Sequence, residues 1–366
     1  MAYDQKRVVE ALRAFERGEI VVVTDDDDRE NEGDLIVAAV HCTPEKMAFI
    51  VRHTSGIVCT PMTREDARRL NLAPMVADND SAHTTAFTVS IDFRHGTTTG
   101  ISAEDRTLTV RNLANGNVGA SDFLRPGHIF PLIAREGGVL MRSGHTEAAV
   151  DLCKLAGLPQ VGVISELVND DGTVMRGPQV AAFAGQHGLK QVSVADLIAY
   201  RQRQETLVER VGSADVETAG GMAKAYTYTL PWDVMQHLAV VFGDIRDGED
   251  VPVRFHSEDV VNDVFGAQSP IDAIMQKMGE RQRGVIVYLR QGSVGVAHKP
   301  RNRPAHDDRE VHVEAQRRES EWREIGLGAQ ILKDLGITSI DLFASRERHY
   351  IGLEGFGIRI NRTEIL

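Results

Sequence analysis

The acidic segment TDDDDRENEGDL, residues 24–35, carries the first side chains whose types and spacing could do chemistry. Seven of its twelve residues are acidic, and it follows the apolar residues 20–23, which predict a buried strand. Glu30, Glu32 and Asp34 alternate, so an extended backbone would place them on one side of the strand end. Such carboxylates repel one another unless a cation lies among them. The pattern favours a hard metal such as Mg²⁺, although charge after a strand is also typical of a solvated loop.

A second candidate segment lies between a predicted strand and a predicted helix. Free backbone N–H groups at a helix start, two small residues and an arginine would form an anion cradle, which suits a substrate phosphate. The histidine of this turn could bind a metal through its neutral imidazole. The same residues could equally be ordinary helix caps and a surface histidine. The segment comprises Arg142, Ser143, Gly144, His145 and Thr146.

Two further groups could move protons. His128 lies in a loop bracketed by prolines, and Glu166 follows the predicted strand 162–165. Either residue could instead be a solvated side chain with no role. A hard metal, a phosphate cradle and acid/base groups at strand ends together suit proton abstraction next to the carbonyl of a sugar phosphate.

The elements that must position these residues mix α and β structure, with no internal repeat. Thr63 and Ser102 precede acidic residues and predict helix starts. Around 200–220 a charged stretch gives way to small residues, so we place a boundary there and predict domains 1–206 and 207–366. The other predicted helices cover 4–18, 45–54, 103–115 and 328–335, and the predicted strands cover 19–24, 56–59, 86–91, 139–141, 162–165, 285–289 and 339–343.

Composition excludes several classes of protein. The chain has 366 residues, of which 42% are hydrophobic and 26% charged, and its net charge of −12 argues against a nucleic-acid binder. No run approaches about 18 apolar residues, so we expect no membrane partner, and the N-terminal residues lack the apolar core of a signal peptide. Cys42, Cys59 and Cys153 show no metal-site spacing, and a cytoplasmic location is the simplest expectation.

Seven motifs give the first domain a specific resemblance. The chain resembles the 3,4-dihydroxy-2-butanone 4-phosphate synthases over residues 5–203. The resemblance implies an α+β fold with a mixed sheet, and a homodimer with active sites at the subunit interface. It also implies conversion of ribulose 5-phosphate to 3,4-dihydroxy-2-butanone 4-phosphate and formate with Mg²⁺ or Mn²⁺. The motifs are DDDDRENEGDL, SGIVC, FTVSID, TTTGISAEDR, RPGHIFPL, GGVLMRSGHTEA and ELVNDDGTVMR.

The resemblance also implies a role for each candidate residue. The family's two protein ligands to the metal match Glu30 and His145. The family's essential proton-transfer positions match His128 and Glu166. Two further catalytic candidates resemble residues that line the family's pocket, Glu32 and Cys59. The residues that match substrate contacts are Arg29, Glu30, Asp34, Arg142, Ser143, Gly144, His145, Thr146 and Glu166.

The second domain resembles GTP cyclohydrolase II, which implies an α/β domain. VPVRFHSEDVVNDVFGAQSPIDA and VIVYLRQGSVGVA carry this resemblance, together with IGLGAQILKDLGI and LEGFGI. That family binds Zn²⁺ through three cysteines, whose positions here are Asp259, Pro270 and Asp272, and no cysteine follows Cys153. Carboxylates and a proline make a poor zinc site, and hydrolytic ring opening needs the metal-activated water. We therefore expect no zinc and no cyclohydrolase chemistry.

Other departures point the same way. Gly292, Ser293 and Val294 replace the Glu-Gly-Arg of the family's RQEGRG segment, while Arg323 matches its catalytic arginine beside an altered acidic neighbour, Glu321. The leading hypothesis is a monofunctional synthase with a degenerate tail. The alternatives are a bifunctional enzyme with residual GTP cyclohydrolase II activity, a nucleotide-binding or regulatory module, and a tail that only stabilises the dimer.

Overall fold

The computed structural model describes residues 5–25, 30–79, 81, 85–205, 208–231, 233–265, 270–290, 326–344, 353 and 357–365. The chain forms two compact units, which divide between Tyr200 and Arg201. The boundary expected from the sequence, between residues 206 and 207, stays a prediction. None of the helices in the described part of the chain is long and apolar enough to cross a membrane.

The first unit contains a seven-stranded mixed sheet in the order β4-β5-β3-β6-β2-β1-β7. Strand β1 pairs antiparallel with β2 and parallel with β7, and β2 pairs antiparallel with β6. Its strands are β1 Val21–Thr24, β2 Gly33–Ala38, β3 Cys59–Met62, β4 Ile91–Phe93, β5 Phe123–Ile133, β6 Gly162–Glu166 and β7 Lys190–Ser193. Its helices are α1 Gln5–Glu16, α2 Pro44–His53, α3 Arg64–Arg69, α4 Ala103–Leu113, α5 His145–Leu155, α6 Pro178–His187 and α7 Val194–Gln204.

Helices cover both faces of this sheet, so its central strands are buried on both sides. Along β2, Leu35 and Val37 enter one core, while Ile36 and Ala38 enter the other, as the period of two in a strand requires. The first core is completed by Met47 of α2, Val110 of α4 and Phe183 of α6. The second core is completed by Phe15 of α1, Leu152 of α5 and Leu197 of α7.

Short-range capping explains where three helices begin. The hydroxyl oxygen of Thr63 accepts the N–H of Asp66 at 3.0 Å, and that of Ser102 accepts the N–H of Asp105 at 3.0 Å. Thr43 caps α2 in the same way, and a proline follows it at the first helical position. These contacts confirm the helix starts that the sequence predicted.

Three strand predictions need correction. The segment 139–141 is not a strand: residues Gly138–Leu140 form a 3₁₀ turn because Gly137 and Gly138 have φ values of 89° and 64°. Asp151 holds this turn by accepting the N–H of Val139 at 2.8 Å. The strand predicted over 86–91 forms only isolated bridges before β4 begins at Ile91, and the strand predicted over 56–59 begins only at Cys59.

The second unit contains another mixed sheet, in the order β14-β13-β11-β12-β10-β9-β8. Strands β8, β9 and β10 are antiparallel to their neighbours, while β12, β11, β13 and β14 run parallel to one another. The strands predicted over 285–289 and 339–343 and the helix predicted over 328–335 are confirmed. The elements are β8 Glu209–Thr218, β9 Gly221–Leu230, β10 Asp233–Gly243, β11 Val251–Ser257, α8 Val260–Phe265, α9 Pro270–Arg281, β12 Arg283–Leu289, α10 over 326–334, β13 Ser339–Ala344 and β14 Arg359–Ile365.

Candidate active site

Two acidic residues face each other at one end of the first sheet. The register of β2 and β6 pairs Asp34 directly with Glu166, and Val23 of β1 continues the same row. Asp34 shares its face of β2 with Ile36, which is the face covered by α5. His145 is the first residue of α5 and therefore meets this row, with its Nδ1 3.6 Å from Asp34 Oδ1.

Asp25, Glu30 and His145 form a group whose potential ligand atoms all lie within 4.8 Å of one another, and no other such group of three occurs in the part of the chain that the structure describes. Asp25 follows β1, and its carboxylate accepts the N–H of Glu30 at 3.2 Å and that of Glu32 at 2.9 Å. Two carboxylates and one imidazole suit Mg²⁺ or Mn²⁺. Sequence reasoning missed Asp25, whose one signal is its position immediately after a buried strand.

The surroundings of Asp34 also fit a divalent cation. Its Oδ1 is buried and accepts no hydrogen bond from any described residue. Burial raises the pKa of Asp34 well above its usual range, and the negative charges of Glu166, Glu30 and Asp25 raise it further. A cation among these groups would offset the repulsion and give the buried oxygen a positive neighbour. The residues present therefore fit the metal that the sequence predicted.

Glu32 departs from the expected alternation. Asn31 has a φ of 55°, so the chain turns between Glu30 and Glu32 instead of continuing as a regular strand. Glu32 forms a backbone bridge with Arg176, and Arg176 Nη2 lies 3.1 Å from Glu32 Oε1. Burial raises the pKa of Glu32, and the hydrogen bond from Arg176 opposes this shift. Arg29, the neighbouring substrate candidate, lies outside the described residues.

The predicted anion cradle is built on the N-terminus of α5. Arg142 Nη1 donates to Glu147 Oε2 at 2.6 Å, and Arg142 Nη2 donates to Thr85 Oγ1 at 3.0 Å. A Cβ on Gly144 would lie 2.5 Å from Arg142 Nη1, so a larger residue there would displace the guanidinium from its present position. Ser143 precedes this glycine. Gly144 provides no side-chain cap, and Thr146 is buried in the first turn of α5.

His128 lies on β5 and is held by Asp92 of β4. Asp92 Oδ1 accepts the backbone N–H of His128 at 2.8 Å, and Asp92 Oδ2 lies 2.7 Å from His128 Nδ1. Strands β3 and β6 separate β5 from β2. At about 4.8 Å per strand, the backbone of His128 lies roughly 10 Å from that of Glu166 and roughly 14 Å from that of Asp34. The structure of one chain therefore does not bring His128 to the metal-binding group.

The two other catalytic candidates have different surroundings. Glu166 ends β6, and its Oε2 accepts a hydrogen bond from Ser55 Oγ at 2.9 Å. Cys59 is buried at the start of β3, and burial followed by the charges of Glu166 and Asp34 raises the pKa of its thiol far above the usual range. A thiolate is disfavoured there, so the geometry favours a wall of the pocket over a nucleophile for Cys59.

In the second unit, Asp259 stands at the first of the three positions that match zinc-binding cysteines, and it caps helix α8. The Asp259 carboxylate accepts the Asn262 N–H at 3.2 Å and the Asn262 Nδ2–H at 2.6 Å, directly before α8. Pro270 begins α9, and Asp272 is exposed in its first turn. The altered phosphate-side residues Gly292, Ser293 and Val294, together with Glu321 and Arg323, lie outside the described residues.

Comparisons with known proteins agree with this two-unit architecture. Residues 9–200 match the profile of 3,4-dihydroxy-2-butanone 4-phosphate synthase, and residues 209–364 match that of GTP cyclohydrolase II. The chain is therefore a fused protein whose larger part belongs to a family of riboflavin-biosynthesis lyases. It belongs to the 3,4-dihydroxy-2-butanone 4-phosphate synthase family and is an enzyme of that family.

Three relatives illustrate the likeness. The chain is 47% identical to the bifunctional riboflavin biosynthesis protein RIBA 1 of Arabidopsis thaliana, over 96% of this chain and 67% of that protein. It is 34% identical to RibBX, a two-domain 3,4-dihydroxy-2-butanone 4-phosphate synthase from A. baumannii, with a TM-score of 0.80 over 98% of this chain and 99% of the other. A synthase crystallised with two magnesium ions is 48% identical over 53% of this chain and 96% of its own, with a TM-score of 0.52.

Proposed function

We propose that the first unit converts ribulose 5-phosphate to 3,4-dihydroxy-2-butanone 4-phosphate and formate with Mg²⁺ or Mn²⁺. The observation that carries this proposal is the group of Asp25, Glu30 and His145 beside the paired acids Asp34 and Glu166. The two magnesium ions of the related synthase support the choice of a hard divalent metal. When bound, the metal supplies positive charge that stabilises negative charge developing on substrate oxygens.

The side chains of this chain have separate tasks in that reaction. Arg142 and the N-terminus of α5 hold the substrate phosphate, because a fixed guanidinium and helix N–H groups favour an anion. Glu166, held by Ser55, accepts or returns a proton at the sugar carbons. His128 moves a second proton. The buried thiol of Cys59 lines the pocket without reacting.

Removal of a metal ligand tests this proposal. Glu30→Gln and His145→Ala should nearly abolish formate release from ribulose 5-phosphate in saturating Mg²⁺, and they should also weaken Mn²⁺ binding measured by paramagnetic resonance. EDTA should inactivate the unaltered enzyme, and Mg²⁺ should restore it. Glu45→Gln, on the exposed first turn of α2, is the matched control and should behave like the unaltered enzyme. Near-normal turnover in either ligand variant would refute the assignment.

We also propose that the enzyme is a cytoplasmic homodimer. Strand spacing alone puts the backbone of His128 roughly 10 Å from that of Glu166 within one chain, and an active site at the subunit interface would let a second copy supply His128. Large apolar side chains beside His128 are exposed: Ile57 by 51%, Ile101 by 51% and Leu124 by 40%. A second copy would cover them. The three free, buried cysteines suit a reducing compartment.

For the second unit we propose a fold that has lost the cyclohydrolase chemistry and binds no zinc. Asp259 is engaged as the cap of α8, so its carboxylate is directed to Asn262. Purified protein should contain no stoichiometric zinc and should release no diaminopyrimidine product from GTP. One zinc per chain together with that product would instead establish the alternative, a bifunctional enzyme like the Arabidopsis relative's name describes.

The remaining alternative for this unit is a nucleotide-binding or regulatory module. Residues 209–364 match the profile of GTP cyclohydrolase II, and binding of a nucleotide does not itself require the zinc site. Calorimetric titration of GTP into the full chain separates the two cases: saturable binding without turnover favours a module, and absence of heat favours a structural role.

A further inference from the structure

The geometry points to Asp92 as a positioning residue that fixes the tautomer and orientation of His128. This inference rests on the proposed synthase function and on the proton-transfer role of His128. Asp92 sits on β4, the edge strand among those described in the first sheet, and only 9% of its side chain is exposed, whereas 42% of the His128 side chain is exposed. The buried partner is therefore the carboxylate, and the exposed partner is the imidazole that substrate can reach.

Both oxygens of Asp92 are committed to His128. Oδ1 accepts the backbone N–H of His128 at 2.8 Å, which fixes the position of the histidine backbone. Oδ2 lies 2.7 Å from ring Nδ1, which fixes the orientation of the imidazole. An ionised carboxylate only accepts hydrogen bonds, so Nδ1 carries the proton. In the neutral form of this ring the other nitrogen, Nε2, is the acceptor and can serve as a base.

A loop packs directly over this hydrogen bond. A Cβ on Gly100 would collide with Asp92 Oδ2 and would lie 2.7 Å from His128 Nδ1, and Gly100 has a φ of 85°. Because residue 100 is a glycine, the backbone can cover the Asp92–His128 pair and keep water from Oδ2. A shielded carboxylate holds its partner more strongly than a solvated one.

The loop is itself fixed from α4. The buried carboxylate of Asp105 accepts the N–H of Thr98 at 3.0 Å, the hydroxyl of Thr98 at 2.7 Å and the N–H of Gly100 at 3.0 Å. These hydrogen bonds lower the pKa of Asp105, so it remains an acceptor at neutral pH. Arg106, the next residue of α4, donates to Gly56 O at 3.2 Å; burial lowers the pKa of its guanidinium, and the negative charge of Asp92 opposes this shift. The segment TTTGISAEDR therefore supports His128 through Asp92.

Asp92→Asn tests the inference with almost no change of shape. The amide oxygen can still accept the backbone N–H of His128, but its NH₂ group would donate to Nδ1 and move the ring proton to Nε2. We expect kcat for formate release to fall by about 10²- to 10⁴-fold with little change in KM, as expected when a histidine base is held in the wrong tautomer. The ¹⁵N shifts of His128 should report the exchange of protonated nitrogen.

A double-mutant comparison separates positioning from general damage. If Asp92 acts through His128, Asp92→Asn should cost nothing further in a His128→Asn background. Asp122→Asn is the matched control, because Asp122 pairs with the surface histidine His95 at 3.1 Å in the same unit, and its kcat should be unchanged.

The outcomes distinguish this inference from the function on which it rests. An unaltered enzyme that releases no formate would remove the proposed function. An active enzyme in which Asp92→Asn keeps its kcat and its ¹⁵N pattern would overturn the inference alone. If Asp92→Asn lowers kcat by the same factor in the unaltered enzyme and in the His128→Asn variant, the inference is also overturned, because Asp92 would then act independently of that histidine.

Discussion

The buried ion pair between Arg142 and Glu147 allows a quantitative prediction. Only 13% of the Arg142 side chain and 1% of the Glu147 side chain are exposed, and Arg142 Nη1 lies 2.6 Å from Glu147 Oε2. The second oxygen of Glu147 accepts the N–H of Arg135 at 3.0 Å. One buried carboxylate therefore fixes both ends of the segment that precedes α5, including the arginine proposed to hold the phosphate.

Glu147→Gln removes the charge and preserves the shape. The amide oxygen can keep the bond from Arg135, but Arg142 loses its buried counter-charge. Breaking a buried pair from one side costs about 3–5 kcal/mol, and because the backbone bond survives we expect the lower end, about 3 kcal/mol. For a domain of this size that corresponds to a thermal midpoint lower by about 6–12 °C.

Calorimetry of the full chain measures the midpoint, and hydrogen exchange of peptides from α5 locates the effect. A loss of about 3 kcal/mol corresponds to roughly 100-fold faster exchange of the most protected amides there. The KM for ribulose 5-phosphate should rise, because Arg142 is no longer held. Glu10→Gln is the control: its pair with Lys190 is about half exposed, and such pairs contribute about 0–1 kcal/mol. Equal thermal midpoints for Glu147→Gln and Glu10→Gln would show that the buried Arg142–Glu147 pair stabilises the fold no more than an exposed pair does.

Four further results are expected. Chelation of divalent metal should lower the thermal midpoint of the full chain, and Mg²⁺ should raise it with the logarithm of its concentration once that exceeds the dissociation constant. The proposed dimer should dissociate to monomers in the Ile101→Asp variant, as measured by light scattering, and formate release should be lost; a dimer of normal mass would contradict the proposed interface. Asp259→Ala should cost about 1 kcal/mol as the loss of a helix cap, measured by calorimetry, with no change in metal content. Burial, with the charges of His187 and Arg52, lowers the pKa of His53 below 6.5. Below pH 6.5 the unfolded chain therefore binds more protons than the folded chain, so the contribution of His53 to the free energy of unfolding is complete above pH 6.5 and decreases as the pH falls. His53→Phe should show a smaller loss of thermal midpoint between pH 7.5 and 5.5, and equal losses would contradict this.

Local signals in the sequence predicted much of the secondary structure. Thr63 and Ser102 mark helix starts because their hydroxyls bond to N–H groups three residues later. The apolar residues before the acidic run predicted a strand that is buried on both faces. The strand predicted over 139–141 was wrong because two glycines with positive φ and the carboxylate of Asp151 override the apolar pattern.

The chemistry of the site was also visible in the sequence, through residue type and order. Glu30 and His145 stand out as a carboxylate in an acidic run and a histidine at a helix start, and family resemblance gave each a role. What the sequence predicted by itself was therefore the class of reaction, the metal type and the principal residues, because these predictions depend on which functional groups the chain carries.

Only the tertiary structure decided which of those groups meet. Asp25 joins Glu30 because Asn31 turns the chain, and His145 joins them from more than a hundred residues away because α5 packs on the face of β2 that carries Asp34. Asp92 and His128 are 36 residues apart and meet through the pairing of β4 with β5. Such contacts depend on strand register and helix packing, which follow from burial of the whole core and are not encoded in any short segment.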